Sequence, residues 1–159
     1  MLKELTSIVI DGYLPNQTDF RQRLNQCPSE IQDEFKRLII DPLLAVVESF
    51  NQTPRPTAAL TIGAHSDRLD SPALSREECR IQEVNESIAR VKSADLGIFQ
   101  ILSETSPLAL PADWADLDNV AITTVYAGAA NLIHSSDALS DFQRQQNRRV
   151  IISLVCFLP

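Results

Sequence analysis

The chain has 159 residues, 44% of them apolar and 22% charged, with 14 Lys and Arg against 21 Asp and Glu and a formal net charge of -7. That length and balance describe one globular domain whose own core can hold it together without a disulfide or metal staple. The acidity excludes a protein that grips nucleic acid through its phosphates, which takes a surplus of Lys and Arg.

Cys27, Cys79 and Cys156 form an odd, widely spaced set without C-x-x-C pairs. Free buried thiols in a reducing compartment are expected, with no metal site and no cofactor. Lys3, Glu4 and Asp11 interrupt the N-terminus where a secretory signal would carry an apolar stretch. No run approaches the roughly eighteen apolar residues of a membrane span. As written, the sequence predicts a soluble, cytoplasmic chain.

In chain order, residues 7–10 are a short β-branched run ending at Asp11-Gly12, which reads as a strand entering a turn. Residues 19–25 suit one or two helical turns. Ser29 with Gln32 makes a capping box, and Ile31, Phe35, Leu38, Ile39, Leu43 and Val46 recur at three and four, so residues 29–50 predict an amphipathic helix bent at Pro42. Residues 51–56, with two prolines, are a linker. Residues 58–64 read as a buried strand, and His65, Ser66 and Asp67 fall just past its C-terminal end, where α/β domains place ligand-binding loops.

A long helix follows, capped by Ser71-Pro72 or by Ser75 with Glu78. Ile81, Val84, Ile88, Val91, Ile98 and Leu102 keep a seven-residue beat to its end, and Gly97 weakens the last turn by about 1 kcal/mol relative to Ala. Residues 103–119 form a loop with one helical turn, residues 120–126 a strand, residues 136–146 a polar helix, and residues 149–157 a strand covered on both faces or buried against helices. Strands and helices alternate, the signature of an α/β domain.

Three features stand in one order: a strand ending in Gly63-Ala64-His65-Ser66-Asp67, an amphipathic helix, and Arg144-Gln145-Gln146-Asn147-Arg148-Arg149-Val150 opening the last strand. Together they resemble the OmpA-like domain, an α/β sandwich that binds peptidoglycan noncovalently. The family's strand closes on G-H-T-D, its helix carries N-x-x-L-S-x-x-R-A, its next strand reaches G-Y-G-x-x-x-P, and N-R-R-V precedes its last strand. Ala127-Gly128-Ala129-Ala130-Asn131 is a worn form of the third element. The resemblance implies a single domain over residues 1–159, with the first strand, helix and linker in 1–56 and the motifs in 57–159. It implies a two-layer α/β sandwich with a mixed four-stranded sheet and helices packed on one face.

The resemblance also implies a binding site for the peptidoglycan peptide. Diaminopimelate is zwitterionic, so its ammonium calls for a carboxylate and its carboxylate for a guanidinium. Asp67 stands at the family's Asp, and Ser66 keeps the hydroxyl of its Thr. Asn147, Arg148 and Arg149 match N-R-R. The helix Arg is not kept in place: aligning on Asn85 puts Lys92 there, whereas aligning on Leu74-Ser75 puts Glu78 there and a two-residue shift recovers Arg80. Lys cannot make the planar bidentate contact. An unbroken helix from Ser75 carries Lys92 roughly 25 Å from its start, which favours Arg80 as the partner of Asp67.

His65, Ser66 and Asp67 carry the residue types of a hydrolytic triad, but neighbours on an extended chain point to opposite sides, so no enzyme is expected. His134 and the cysteines complete no metal spacing. The sequence thus predicts a non-enzymatic cell-wall anchoring module, periplasmic or envelope-associated if the family's role is kept. The alternative is a scaffold that has lost peptidoglycan and serves as a protein–protein component of an envelope-associated assembly. For that role Leu108, Leu110 and Trp114 would offer apolar surface.

Overall fold

The computed structural model describes residues 2–135 and 139–159. β1 (Leu2–Ile10) leads through a loop to α1 (Phe20–Gln26), whose first turn is capped by the Asp19 carboxylate accepting from the Gln22 N–H. β1 begins five residues before the expected strand. Its charged first half is tolerated because an edge strand leaves one flank open to water.

The expected long first helix is divided into α2 (Ser29–Phe35), a π turn (Lys36–Ile40) and α3 (Asp41–Glu48). Pro42 is the cause. It has no N–H, so the carbonyl four residues back, Leu38, lacks its helical donor. The Thr6 hydroxyl on β1 donates to that carbonyl at 2.6 Å, and the π turn opens the backbone just ahead of the proline.

β2 (Thr57–His65) passes into the 30-residue α4 (Arg76–Thr105), about 45 Å long. Ser75 and Glu78 exchange the two hydrogen bonds of a capping box at its start, so the helix begins there and not at Ser71-Pro72. Gly97 lies within the helix, where the Phe20 ring packs so closely that a Cβ would stand 3.1 Å from it, so the residue serves the approach of α1. β3 (Val120–Tyr126), α5 (Asp141–Asn147) and β4 (Arg149–Leu158) complete the chain. The first part of the expected polar helix, residues 136–138, lies outside the described residues.

The sheet runs β1-β4-β2-β3. β4, last in sequence, is inserted between β1 and β2 and is antiparallel to both, while β3 runs parallel to β2. Ile8, Leu60, Ile62, Ile152 and Leu154 project to one face and are buried there with Phe35, Ile39, Leu43, Val91, Ile98 and Leu102 of the helices. Each fully buried Leu or Ile contributes about 2 kcal/mol. The other face keeps Ala59, Thr61, Ile151, Ser153 and Val155 half-buried. The last strand is therefore buried against helices on one side and not covered on both. The fold is a two-layer α/β sandwich with helices on one face of a mixed four-stranded sheet.

Candidate functional site

The C-terminal end of β2 meets three segments: the first turns of α4, the loop after β3, and α5 with the start of β4. Gly128 holds φ at +53°, and a Cβ there would stand 3.1 Å from Val84 of α4. Glycine lets the chain turn back along the helix. Its carbonyl accepts from the Ser66 N–H at 2.7 Å and its own N–H donates to the Ser87 hydroxyl at 3.1 Å. The Ser66 hydroxyl, fully buried, donates to the Glu83 carbonyl at 2.6 Å.

Asp67 follows, 6% exposed. Asn147 Nδ2 donates to its Oδ1 at 2.9 Å, Arg144 Nη1 donates to its Oδ2 at 2.9 Å, and Arg148 Nη2 stands 3.5 Å from the same oxygen. All three come from α5 and the residue that ends it. Asn147 is fully buried and saturated: it also donates to the His134 carbonyl and accepts from the His134 N–H, each at 2.9 Å. One amide side chain thus ties α5 to the loop after β2 and the loop after β3. Arg144 keeps 38% of its side chain exposed, against 12% for Arg148.

The remaining sequence candidates lie elsewhere. Arg149 is buried and donates to the carbonyls of Asn131 and Asn147, so it fastens the loop after β3 and does not touch Asp67. Neither cation expected on the long helix reaches Asp67. Arg80 donates to Glu83 at 2.6 Å, one turn along, because Glu83 is buried there accepting from the Leu69 N–H at 2.8 Å. Lys92 is nine residues past Glu83, about 14 Å along the axis, in a separate hollow with Asp95, Phe99 and Trp114. The group that α4 turns to this loop is therefore a carboxylate paired with its own Arg80, where the resemblance implies a cation on Asp67. The cations at Asp67 come instead from α5.

Sequence reasoning missed Arg144 as a site residue. Its signal was present: positions 144, 147 and 148 share one helical face at spacings of three and four. Arg90 was missed too. It is fully buried, donates to the carbonyls of Gln17 and His65 at 3.0 and 3.2 Å, stands 3.4 Å from the Glu86 carboxylate and covers the Tyr13 ring at 5.2 Å. Burial lowers its pKa, with Glu86 drawing it back up.

No protein-family model matches the chain, and no curated protein is similar to it in sequence. Several solved structures are similar to it. It resembles the cell wall anchor of the T6SS from Pseudomonas aeruginosa, with 17% identity over 94% of this chain and 80% of that one and a TM-score of 0.44. It resembles the periplasmic domain of Helicobacter pylori MotB, with 12% identity over 94% and 80% and a TM-score of 0.42. A third is the OmpA-like domain of FopA1 from Francisella tularensis, with 10% identity over 96% and 73% and a TM-score of 0.44.

Two clefts flank the Asp67 loop. One is lined by Asp67, Arg68, Asp70, Leu132, His134 and Arg144, the other by Pro15, Asn16, Leu69, Gln82, Glu86 and Arg148 among others. The first brings the guanidinium groups of Arg68 and Arg144 against the two carboxylates of Asp67 and Asp70. Arg68 and Asp70 are exposed, so this cleft presents groups of both signs, two guanidinium groups against two carboxylates.

Among the described residues the site holds no nucleophile and base in contact. His65 Nδ1 lies 2.9 Å from the Ala130 carbonyl, which can only accept, so Nδ1 carries the proton. The Ser66 hydroxyl is occupied by the Glu83 carbonyl. Among the described residues no group of three His, Cys, Asp or Glu side chains could hold a metal ion. Cys27, Cys79 and Cys156 are free and buried, and no described helix is long and apolar enough to cross a membrane.

Proposed function

We propose that this chain is a non-enzymatic binding domain of the cell envelope that holds peptidoglycan noncovalently by its peptide, in the cleft between Asp67 and Arg144. The observation that carries this reading is the Asp67–Arg144 pair. A buried carboxylate held by Asn147, Arg144 and Arg148 is tied to the protein's own groups, so Asp67 acts by fixing Arg144 at the cleft wall with donors to spare. Arg144 and Arg68 then take the ligand's carboxylate, and Asp70 takes its ammonium. A diaminopimelate centre carries both groups on one carbon, which suits a cleft of mixed charge. Ser66, Asn147 and Arg148 hold the wall, Arg149 holds the loop beside it, and Arg80 and Lys92 lie outside the contact.

Sedimentation of the purified chain with diaminopimelate-type sacculi tests the reading. The wild type is expected to pellet. Arg144→Gln, which leaves Asn147 and Arg148 on Asp67, and Arg68→Glu, at an exposed position, are each expected to weaken pelleting about tenfold, the loss of one charge-assisted contact. Unchanged pelleting in both variants would overturn it.

One observation favours a second reading. The Arg80–Glu83 pair closes the Asp67 loop from the helix side and leaves no cation of α4 on Asp67, as in a scaffold that has given up the cell wall for a protein assembly. On that reading the groove of Val47, Phe50, Leu108, Leu110, Pro111 and Leu117 receives the partner. Failure of the folded wild type to pellet would select it.

A further inference from the structure

The sheet face turned away from the helices has a composition of its own. Reading across β1, β4, β2 and β3 in register, one row is Leu5, Val155, Ala59 and Ala121. The next is Ser7, Ser153, Thr61 and Thr123. The third is Val9, Ile151, Gly63 and Val125. No charged side chain occurs in the three rows, although the chain carries a net charge of -7. Charge returns one row further out at each end, as Lys3 over the Phe157 ring and as the buried Arg149 beside His65. Leu5, Val9 and Val125 are 68%, 46% and 48% exposed, and the central positions Ser153, Thr61, Val155 and Ile151 are half-buried, uncovered by any helix among the described residues. Nothing in the cleft beside Asp67 uses this face.

We infer that this face is an interaction surface for a second copy of the same chain, stacked sheet on sheet. The order of its rows, apolar, hydroxyl, apolar, is self-complementary. A two-fold axis along the strands lays each row on its own copy, and an axis along the hydroxyl row lays one apolar row on the other. In either case apolar meets apolar and hydroxyl meets hydroxyl, as a closed two-fold interface requires. Charge selects the same occupant. Two molecules of net charge -7 repel over the rest of their surfaces, and this face is where they approach without bringing carboxylates together. In the centre Ser7 and Ser153 already share a hydrogen bond at 3.1 Å and keep free acceptors for a partner's hydroxyls.

The area sets the strength. Four strands about 4.8 Å apart and seven residues at about 3.3 Å each give a face of roughly 400 Å². A stable interface takes about 800 Å² from each partner, so this dimer is a weak, transient one that forms only at high protein concentration.

Sedimentation equilibrium of the full chain from about 5 μM to 1 mM tests it, with circular dichroism as the check on folding. The wild type is expected to move from monomer to dimer across that range, more tightly as salt screens the net charge. Leu5→Lys, on the exposed edge strand, and Ser153→Glu, at the centre, are each expected to weaken the dimer at least tenfold. Leu108→Lys, in the groove between α3 and the loop before β3, is expected to leave it unchanged. A wild type monomeric at 1 mM would overturn the inference. So would a dimer untouched by both sheet variants, or one broken by Leu108→Lys.

Discussion

Asn147 and Asp67 hold the candidate site together more than they serve a ligand. Truncating Asn147 to Ala removes three buried hydrogen bonds at once, and the expected cost is about 3 kcal/mol. Asp67→Ala leaves the guanidinium of Arg148, little exposed, without its counter-charge, for a cost of about 3 kcal/mol. Because the two residues share a hydrogen bond, urea unfolding of the double variant is expected to show less than the sum of the single losses. Full additivity would mean that they act separately. His65 adds a pH dependence. Burial holds its pKa below the ordinary value, the bond to the Ala130 carbonyl draws it upward, and Arg149 draws it down again. A lowered folded value means that the unfolded chain takes up the proton first as pH falls below about 6.5. The contribution is complete above that pH and lost below it. Urea midpoints are expected to drop between pH 7.5 and 5.5 in the wild type and to drop less in His65→Gln. An equal drop in both would assign the dependence to other groups. Asp67 and Asn147-Arg148 were legible in the sequence because motif spacing marks them. Arg144 was missed although its spacing to Asn147 and Arg148 marks it, because a single Arg in a polar helix looks like solvated surface until α5 is seated against the β2 end.

At the scale of elements, a missing N–H shapes the first helical layer. The alternation and the three-and-four spacing in the sequence found every strand and the main helices, because those patterns record which face meets the core. They did not find the π turn at Lys36–Ile40, which depends on a donor from another element: Thr6 on β1 reaching the carbonyl that Pro42 leaves without one. Thr6→Val keeps the shape and removes the donor, at an expected cost of about 1 kcal/mol in thermal or urea unfolding. In a Pro42→Ala background, where a backbone N–H becomes available, the same change is expected to cost less. Equal losses in both backgrounds would show that Thr6 does not answer the proline. The cation expected on α4 failed for a related reason. Sequence spacing along a helix gives the face but not what the facing loop presents, and here Leu69 presents an N–H that a carboxylate, Glu83, satisfies.

The whole molecule joins an acidic domain to a cleft edged with guanidinium groups and, on its other side, an uncharged sheet face. An acidic body keeps the chain away from polyanions, while Arg68 and Arg144 balance Asp67 and Asp70 in the cleft, a mixed charge that suits the proposed zwitterionic ligand. The fold was legible because hydrophobic period and chain order determine a two-layer α/β sandwich. The charge at the site was less so, since it depends on side chains brought together from positions 67, 70 and 144. The most direct test is a nuclear magnetic resonance titration of the full, folded chain with a soluble diaminopimelate-containing stem peptide, following backbone amides and the Arg side-chain N–H groups. Shifts concentrated at Arg68, Leu69, Asp70, His134 and the Arg144 guanidinium, and lost in Arg144→Gln, are the expected result. A spectrum unchanged at millimolar peptide, or shifts that survive in Arg144→Gln, would contradict the assignment of this cleft to the cell-wall peptide.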